Sequence, residues 1–191
     1  MRSFIMWNLV TLDGFFEGTT KWDLGWHESA WGDDLDDLSI AQLQTADNLL
    51  FGRITYEGMA QYWPEATGTI AGLMNDIPKV VASRTLKSAD WKNSTLVKTD
   101  VVAEVTRIKQ MPGKNILVFG SADLCDTLIR HDLIDEYRLC FVPVVLGAGT
   151  PLFKTGSPRP MKLLEARPTK SGSMILRYAP TAAALTSVRD P

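Results

Sequence analysis

NILVFGSADLCDTLIRHDLIDEYRLCFVPVVLGAG, from Asn115 to Gly149, reads as strand, glycine turn, helix, strand and glycine loop. The fold class follows from this stretch. Ile116 to Phe119 is an unbroken apolar run, the pattern of a strand covered on both faces. Gly120 permits a sharp turn, Ser121 suits an N-cap, and Asp123 falls in the first helical turn. Leu124, Leu128 and Ile129 recur at helical spacing, and Leu133 and Ile134 lead into the next strand. A glycine at a strand's carboxyl end that feeds a helix leaves free N–H groups and a positive dipole end, a place to hold an anion.

The same grammar extends in both directions. Arg2 to Val10 reads as a first strand ending in the turn Thr11-Leu12-Asp13-Gly14, and Asp33 to Ala46 as a helix with Leu35, Leu38 and Leu43 inward. Its acidic run, Asp33, Asp34, Asp36 and Asp37, is accounted for by the helix dipole. Asp47 to Phe51 is a strand that meets Gly52-Arg53-Ile54-Thr55 and a helix ending before Trp63-Pro64. After a short helix over 66–76, Ile77 to Ala82 is a strand ended by Ser83-Arg84-Thr85. Asn93 to Val97 and Val101 to Gln110 add a strand and a helix, and 162–166 with 173–178 a closing hairpin. Strands alternate with helices until that hairpin, which predicts an α/β fold with a mainly parallel sheet and antiparallel strands at one edge.

The rest of the sequence sets bounds. The 191 residues suit one domain over 1–179, with 180–191 expected to be a mobile tail. With 45% hydrophobic and 22% charged residues the composition is ordinary for a globular protein. A net charge of −2 offers no footprint for nucleic acid or an anionic membrane, and no apolar run approaches a bilayer span. Two cysteines, Cys125 and Cys140, fit buried thiols in a reducing compartment, and two histidines, His27 and His131, are too few for a histidine-rich metal site. A cytoplasmic protein without a structural metal is expected.

Three strand ends carry chemistry suited to anions: Gly52 to Thr55, Ser83 to Thr85, and Gly120 to Leu124. Arg53 can pair with phosphate oxygens and Thr55 can donate to them beside a helix N-terminus. Arg and hydroxyl groups at Ser83 and Arg84 suit a ribose 2′-phosphate, which favours NADPH over NADH. Each glycine is also explained as a tight turn; together the three segments line the carboxyl edge of one sheet, where ligands gather. Neither Gly-x-Gly-x-x-Gly nor a P-loop occurs. Between Glu17 and Gly32, Trp22, Trp26 and Trp31 sit among Gly, Asp and Thr, either as a lid over a flat ligand or as staples to the core.

In that order, Thr11-Leu12-Asp13-Gly14, Gly52-Arg53-Ile54-Thr55-Tyr56-Glu57, Ser83-Arg84-Thr85, Gly120-Ser121-Ala122-Asp123-Leu124, Leu133-Ile134-Asp135-Glu136 and Pro143-Val144-Val145-Leu146-Gly147 resemble the dihydrofolate reductase-like family. Within it, the set is most similar to the reductase domain of the riboflavin-biosynthesis deaminase–reductase and its stand-alone relatives, over residues 2 to 179. The resemblance implies a three-layer α/β/α fold, NADPH as cofactor and a homodimer formed through the last strands. It places Val10 and Gly14 near the nicotinamide, Arg53 and Thr55 on the phosphates, Ser83 and Arg84 at the adenosine end, and Ser121 to Leu124 on the pyrophosphate. Gly52, Thr85 and Gly120 come with the same motifs. Riboflavin-pathway reductases carry a substrate-binding glutamate where this chain has Phe119, and the deaminase zinc motif is missing.

The expected activity is hydride transfer from NADPH to a small planar heterocycle, pterin- or pyrimidine-like. Trp22, Trp26, Trp63 and Phe119 are the substrate-side candidates. Asp13 is the candidate proton donor, with a turn-capping role equally open. Trp63 is equally explained by core packing, and His27 and Glu28 read as an exposed loop pair. The competing expectation is a non-catalytic protein that sequesters a planar ligand or nucleotide in the same cleft.

Overall fold

Every residue of Phe4–Thr11, strand β1, is buried, and the computed structural model, which describes residues 2–154 and 158–181, builds an eight-stranded sheet around it. Parallel neighbours flank β1: β6 (Asn115–Phe119) on one side and β7 (Glu136–Val142) on the other. Beyond β6 lie β3 (Ala46–Gly52), β4 (Lys79–Ala82) and β5 (Ser94–Val97), all parallel. Beyond β7 the sheet turns antiparallel with β10 (Met174–Pro180) and then β9 (Met161–Pro168). The predicted mainly parallel sheet with antiparallel closing strands is therefore observed.

The alternation of side chains along β1 divides the layers. Phe4, Met6 and Val10 pack with Val105 and Ile108 of α4 (Val101–Gln110) and Leu124, Cys125 and Leu128 of α5 (Ala122–Arg130). Ile5 faces the opposite way, with Leu43 of α1 (Asp33–Gln44), Tyr56 of α2 (Arg53–Tyr62) and Met74 of α3 (Thr69–Asp76). A third cluster joins Trp7 and Leu9 to Leu35, Cys140 and Ile175. Full burial of one such apolar side chain is worth about 1.5–3 kcal/mol, so the double-sided packing of β1 anchors both outer layers. Cys125 and Cys140 are buried free thiols, and desolvation pushes them up to about 12 and about 11, which leaves them unreactive.

Several details differ from the sequence expectation. Helix α1 ends at Gln44 because Ala46 already belongs to β3. The segment expected as one loop contains strand β2 (Phe15–Glu17), which pairs with β8 (Thr150–Pro151), and a 3₁₀ helix over Gly25–Ala30. Of the expected tail, Pro180 closes β10 and the Thr181 N–H donates to the Pro160 carbonyl; 182–191 lie outside the described residues. No helix among the described residues is long and apolar enough to cross a membrane.

Candidate functional site

The pairing of β1 with β6 ends at Trp7 and Phe119, while β1 runs on to Thr11. The strands part there, and two adjoining cavities open along the carboxyl edge of the sheet.

The larger, of ≈ 440 Å³, lies over the ends of β3, β4, β5 and β6. Gly52, Arg53, Thr55, Ser83, Arg84 and the turn Ser121 to Leu124 line it, so the three anion-suited segments do share one cleft. Ser121 makes the join, in a way its sequence position does not suggest. Expected as an N-cap, it has φ 60 and no side-chain cap bond. Its hydroxyl instead accepts the Gly52 N–H at 2.8 Å and donates to the Thr55 hydroxyl at 2.9 Å. Gly120, at φ +53, has no room for a side chain: a Cβ there would stand 2.9 Å from the Thr55 hydroxyl and 3.2 Å from Phe16. The two glycine turns are thus locked together, with the N-termini of α2 and α5 facing one space.

The cleft's cations differ in their commitments. Arg53 pairs with Glu57 at 2.9 Å and keeps a side-chain exposure of 38%. Arg84, and Lys98 from the loop after β5, line the cleft without an ion-pair partner among the described residues. Asp123, which also lines it, is neutralised by Lys154. The donor set of helix N-termini, hydroxyls and unpaired cations fits a polyphosphate-bearing cofactor.

The smaller cavity, of ≈ 110 Å³, lies between the sheet and the tryptophan segment, walled by Trp22, Trp31, Met59, Trp63 and Phe119. Phe16 and Thr55 line both cavities, so the two meet at those side chains. No Asp, Glu, Lys or Arg among the described residues lines the smaller one. Its polar groups are neutral and inward-held: Asn8, where the strands part; Ser39 and Gln42 on the buried face of α1; and His27 from the 3₁₀ helix. Desolvation pushes the His27 imidazole down to about 4, so it is neutral at physiological pH. Asn8 Nδ2, His27 Nε2 and both amide atoms of Gln42 have no hydrogen-bond partner among the described residues. An unpaired buried donor or acceptor costs about 1–3 kcal/mol, which is why such groups concentrate where a ligand binds.

Glu17 holds the tryptophan segment in place. Its carboxylate accepts the Trp22 N–H at 2.9 Å and the Thr150 hydroxyl at 3.1 Å, tying together two loops far apart in sequence. Trp22 adopts φ 64 and lays its ring on Gly58 of α2.

The geometry redistributes the sequence candidates. Gly52, Arg53, Thr55, Ser83, Arg84, Ser121, Ala122, Asp123 and Leu124 come together in the larger cleft, while Trp22, Trp63, Phe119 and Gly120 meet in the smaller cavity. Val10, Gly14, Thr85 and Trp26 line neither. Val10 is buried beneath α5, and Trp26 packs into the third core cluster with its ring edge-on to His27 at 4.3 Å. The Thr85 N–H donates to the Ser83 hydroxyl at 3.2 Å, a local turn. Asp13 also stands outside both cavities. Its carboxylate accepts the Thr11 hydroxyl at 2.6 Å, the Gly147 N–H at 2.7 Å and the Leu146 N–H at 3.3 Å. These bonds, that of Thr11 foremost, hold it below the usual carboxylate range. Its surroundings are those of an ionised loop clamp, and the capping alternative accounts for them. His27, expected in an exposed pair, is turned inward.

The sequence pattern of the RibD C-terminal domain matches residues 2–175. The chain belongs to the RibD C-terminal domain family. Two Bacillus subtilis (strain 168) proteins are similar to this RibD C-terminal domain: the uncharacterised YyaP, 33% identical over 93% of this chain and 94% of its own, and the uncharacterised YwjB, 30% identical over 80% and 83%. Among solved structures, a Shewanella sp. PV-4 protein provisionally assigned to riboflavin biosynthesis superposes with a TM-score of 0.77 at 22% identity, covering 94% of this chain and 99% of its own. Dihydrofolate reductase from Enterococcus faecalis, complexed with NADP(H), gives 0.62 at 13% identity, covering 93% and 96%. At such identities these two establish the fold alone.

Proposed function

We propose that this protein is an NADPH-dependent reductase that reduces a small planar heterocycle, pterin- or pyrimidine-like. The observation that carries the reading is the pair of adjoining cavities, one cationic and hydroxyl-rich, the other apolar and walled by tryptophans, meeting at Phe16 and Thr55. A dinucleotide needs the first kind of space for its phosphates, and a flat hydride acceptor needs the second. NADP(H) in the Enterococcus faecalis relative supports the choice of cofactor.

In this reading Arg53, Thr55, Ser121 and the N-termini of α2 and α5 hold the phosphates, and Arg84 with Ser83 and Lys98 reads the adenosine end. When bound, the cofactor supplies a hydride and becomes NADP⁺; the acceptor gains that hydride and a proton. Phe16 and Thr55 then stand at the place of transfer, and the tryptophan segment screens it from bulk solvent. No carboxyl group among the described residues lines the smaller cavity, so a water enclosed with the acceptor would deliver the proton. Residues 1–179 act as one domain, in the cytoplasm, where the buried thiols stay reduced. Leu163, Leu164 and Met174, exposed on β9 and β10, are the surface through which two copies would pair.

The test is a titration of the purified protein with NADPH and NADH, followed by nicotinamide and tryptophan fluorescence, and then NADPH consumption with candidate acceptors. Saturable binding selective for NADPH, with turnover, is expected. Binding of neither nucleotide would refute the reductase reading; binding with no turnover of any pterin, pyrimidine or quinone would favour a sequestering protein.

A further inference from the structure

Gln42 is the most deeply buried of the polar side chains that line the smaller cavity. It is 2% exposed, on the face of α1 that carries Leu35, Ser39 and Leu43 against the sheet, yet neither its Oε1 nor its Nε2 finds a partner among the described residues. Packing alone would select Leu or Met at such a position. A primary amide there presents one donor and one acceptor side by side, a pattern answered by a ring edge with the complementary acceptor and donor. His27, whose Nε2 is also buried and unpartnered, lines the same cavity. Around them stand apolar and aromatic walls, among them Trp22, Trp63 and Phe119, that take a flat ring.

What is missing from the lining is equally specific. With no Lys or Arg, a phosphate or carboxylate brought in would have no counter-charge; with no Asp or Glu, a cationic ring would have none either. Phe119 occupies the end of β6 with an apolar ring stacked on Phe51 at 6.0 Å between centroids. The volume, ≈ 110 Å³, is on the scale of a flat ring system.

We infer that the smaller cavity selects an uncharged planar ring with a lactam edge, a ring C=O next to a ring N–H, which pairs with the side-chain amide of Gln42. Gln42 is thus a specificity-determining residue for the substrate. Calling that ring the substrate rests on the reductase reading above; the recognition itself does not.

Quenching of the tryptophans that wall the cavity reads the test. The probes are 2-quinolinone, its N-methyl derivative, in which the lactam donor is blocked, and 2-quinolinone-4-carboxylate, which adds a charge. For the wild-type protein, 2-quinolinone should bind on the order of 10–100-fold more tightly than either derivative, since each leaves a buried polar group or a charge unpaired. In Gln42→Leu the preference for the lactam over its N-methyl form should fall to about twofold or less, while NADPH affinity stays that of the wild type, because Gln42 does not line the larger cleft. Equal wild-type binding of 2-quinolinone and its N-methyl derivative would overturn the inference without any variant having to fold. So would tighter binding of the carboxylate, or a folded Gln42→Leu protein that keeps the full preference. NADPH titration in the same samples separates the two conclusions. NADPH binding without lactam discrimination overturns this inference alone, and discrimination without NADPH binding overturns the reductase reading while upholding the recognition.

Discussion

Gly58 interrupts helix α2 at an interior position, where alanine would be favoured by about 0.8–1 kcal/mol on helix propensity. The structure supplies the reason for glycine. A Cβ at residue 58 would stand 2.3 Å from Trp22 Cε2 and 2.5 Å from both Cδ2 and Cζ2. Carbon atoms in contact sit about 3.5–4.0 Å apart, so in Gly58→Ala the indole must withdraw by more than about 1 Å. It cannot do so freely, because the Trp22 N–H is held by Glu17 and the residue already sits in the left-handed region. Overpacking of this kind costs about 1–3 kcal/mol, which outweighs the propensity gain. Gly72 in helix α3 is the matched control, since a Cβ there meets nothing within 4 Å. Gly72→Ala should therefore stabilise the fold by about 0.8–1 kcal/mol, and Gly58→Ala should fall about 1–3 kcal/mol short of it. Urea unfolding followed by far-ultraviolet circular dichroism measures that gap. Near-ultraviolet circular dichroism should change only in Gly58→Ala, as the Trp22 ring leaves its seat. If Gly58→Ala stabilises as much as Gly72→Ala and leaves the aromatic signal unchanged, Trp22 is not seated on α2 and the wall assigned to it is wrong.

Arg84→Ala should weaken NADPH on the order of 10- to 100-fold while leaving NADH nearly unaffected, because only the former carries a 2′-phosphate to pair; equal losses would show that Arg84 does not read it. His27 ties stability to acid: its folded value is about 4 against 6.5 unfolded, so between these the unfolded chain binds the extra proton and stability falls as pH drops through that window. About 2 kcal/mol should be lost between pH 7 and pH 5 on this account, and urea unfolding of His27→Leu should lack that component. Asp13→Asn should leave the pH profile of NADPH oxidation in place but speed amide exchange at Leu146 and Gly147, which its carboxylate clamps; loss of a pH-rate limb would restore Asp13 as the proton donor.

Local patterning determined much of this protein. The apolar runs, the glycine at each strand end and the two periodicities place nearly every strand and helix, because a strand buried on both faces and a helix with one apolar stripe write themselves into consecutive residues. The segments Gly52 to Thr55, Ser83 to Arg84 and Ser121 to Leu124 were legible for the same reason: strand ends, the helix N-termini that follow Gly52 and Ser121, and their hydroxyl and cationic neighbours are local features. Residues whose partners are distant in sequence take their roles from the folded chain. Ser121 looks like an N-cap until Gly52 and Thr55 are brought to its hydroxyl. Asp13 looks like an acid beside a ligand until the loop at 146–147 folds onto it. Trp22 and Trp26, four positions apart in one polar stretch, part company because Glu17 and Gly58 seat one at the cavity wall while the third core cluster takes the other. Gln42 and His27 carry no motif at all, and buried amides and imidazoles are ordinarily satisfied by their neighbours. Their chemistry becomes visible only when the sheet, α1 and the tryptophan segment enclose them together and provide no partner.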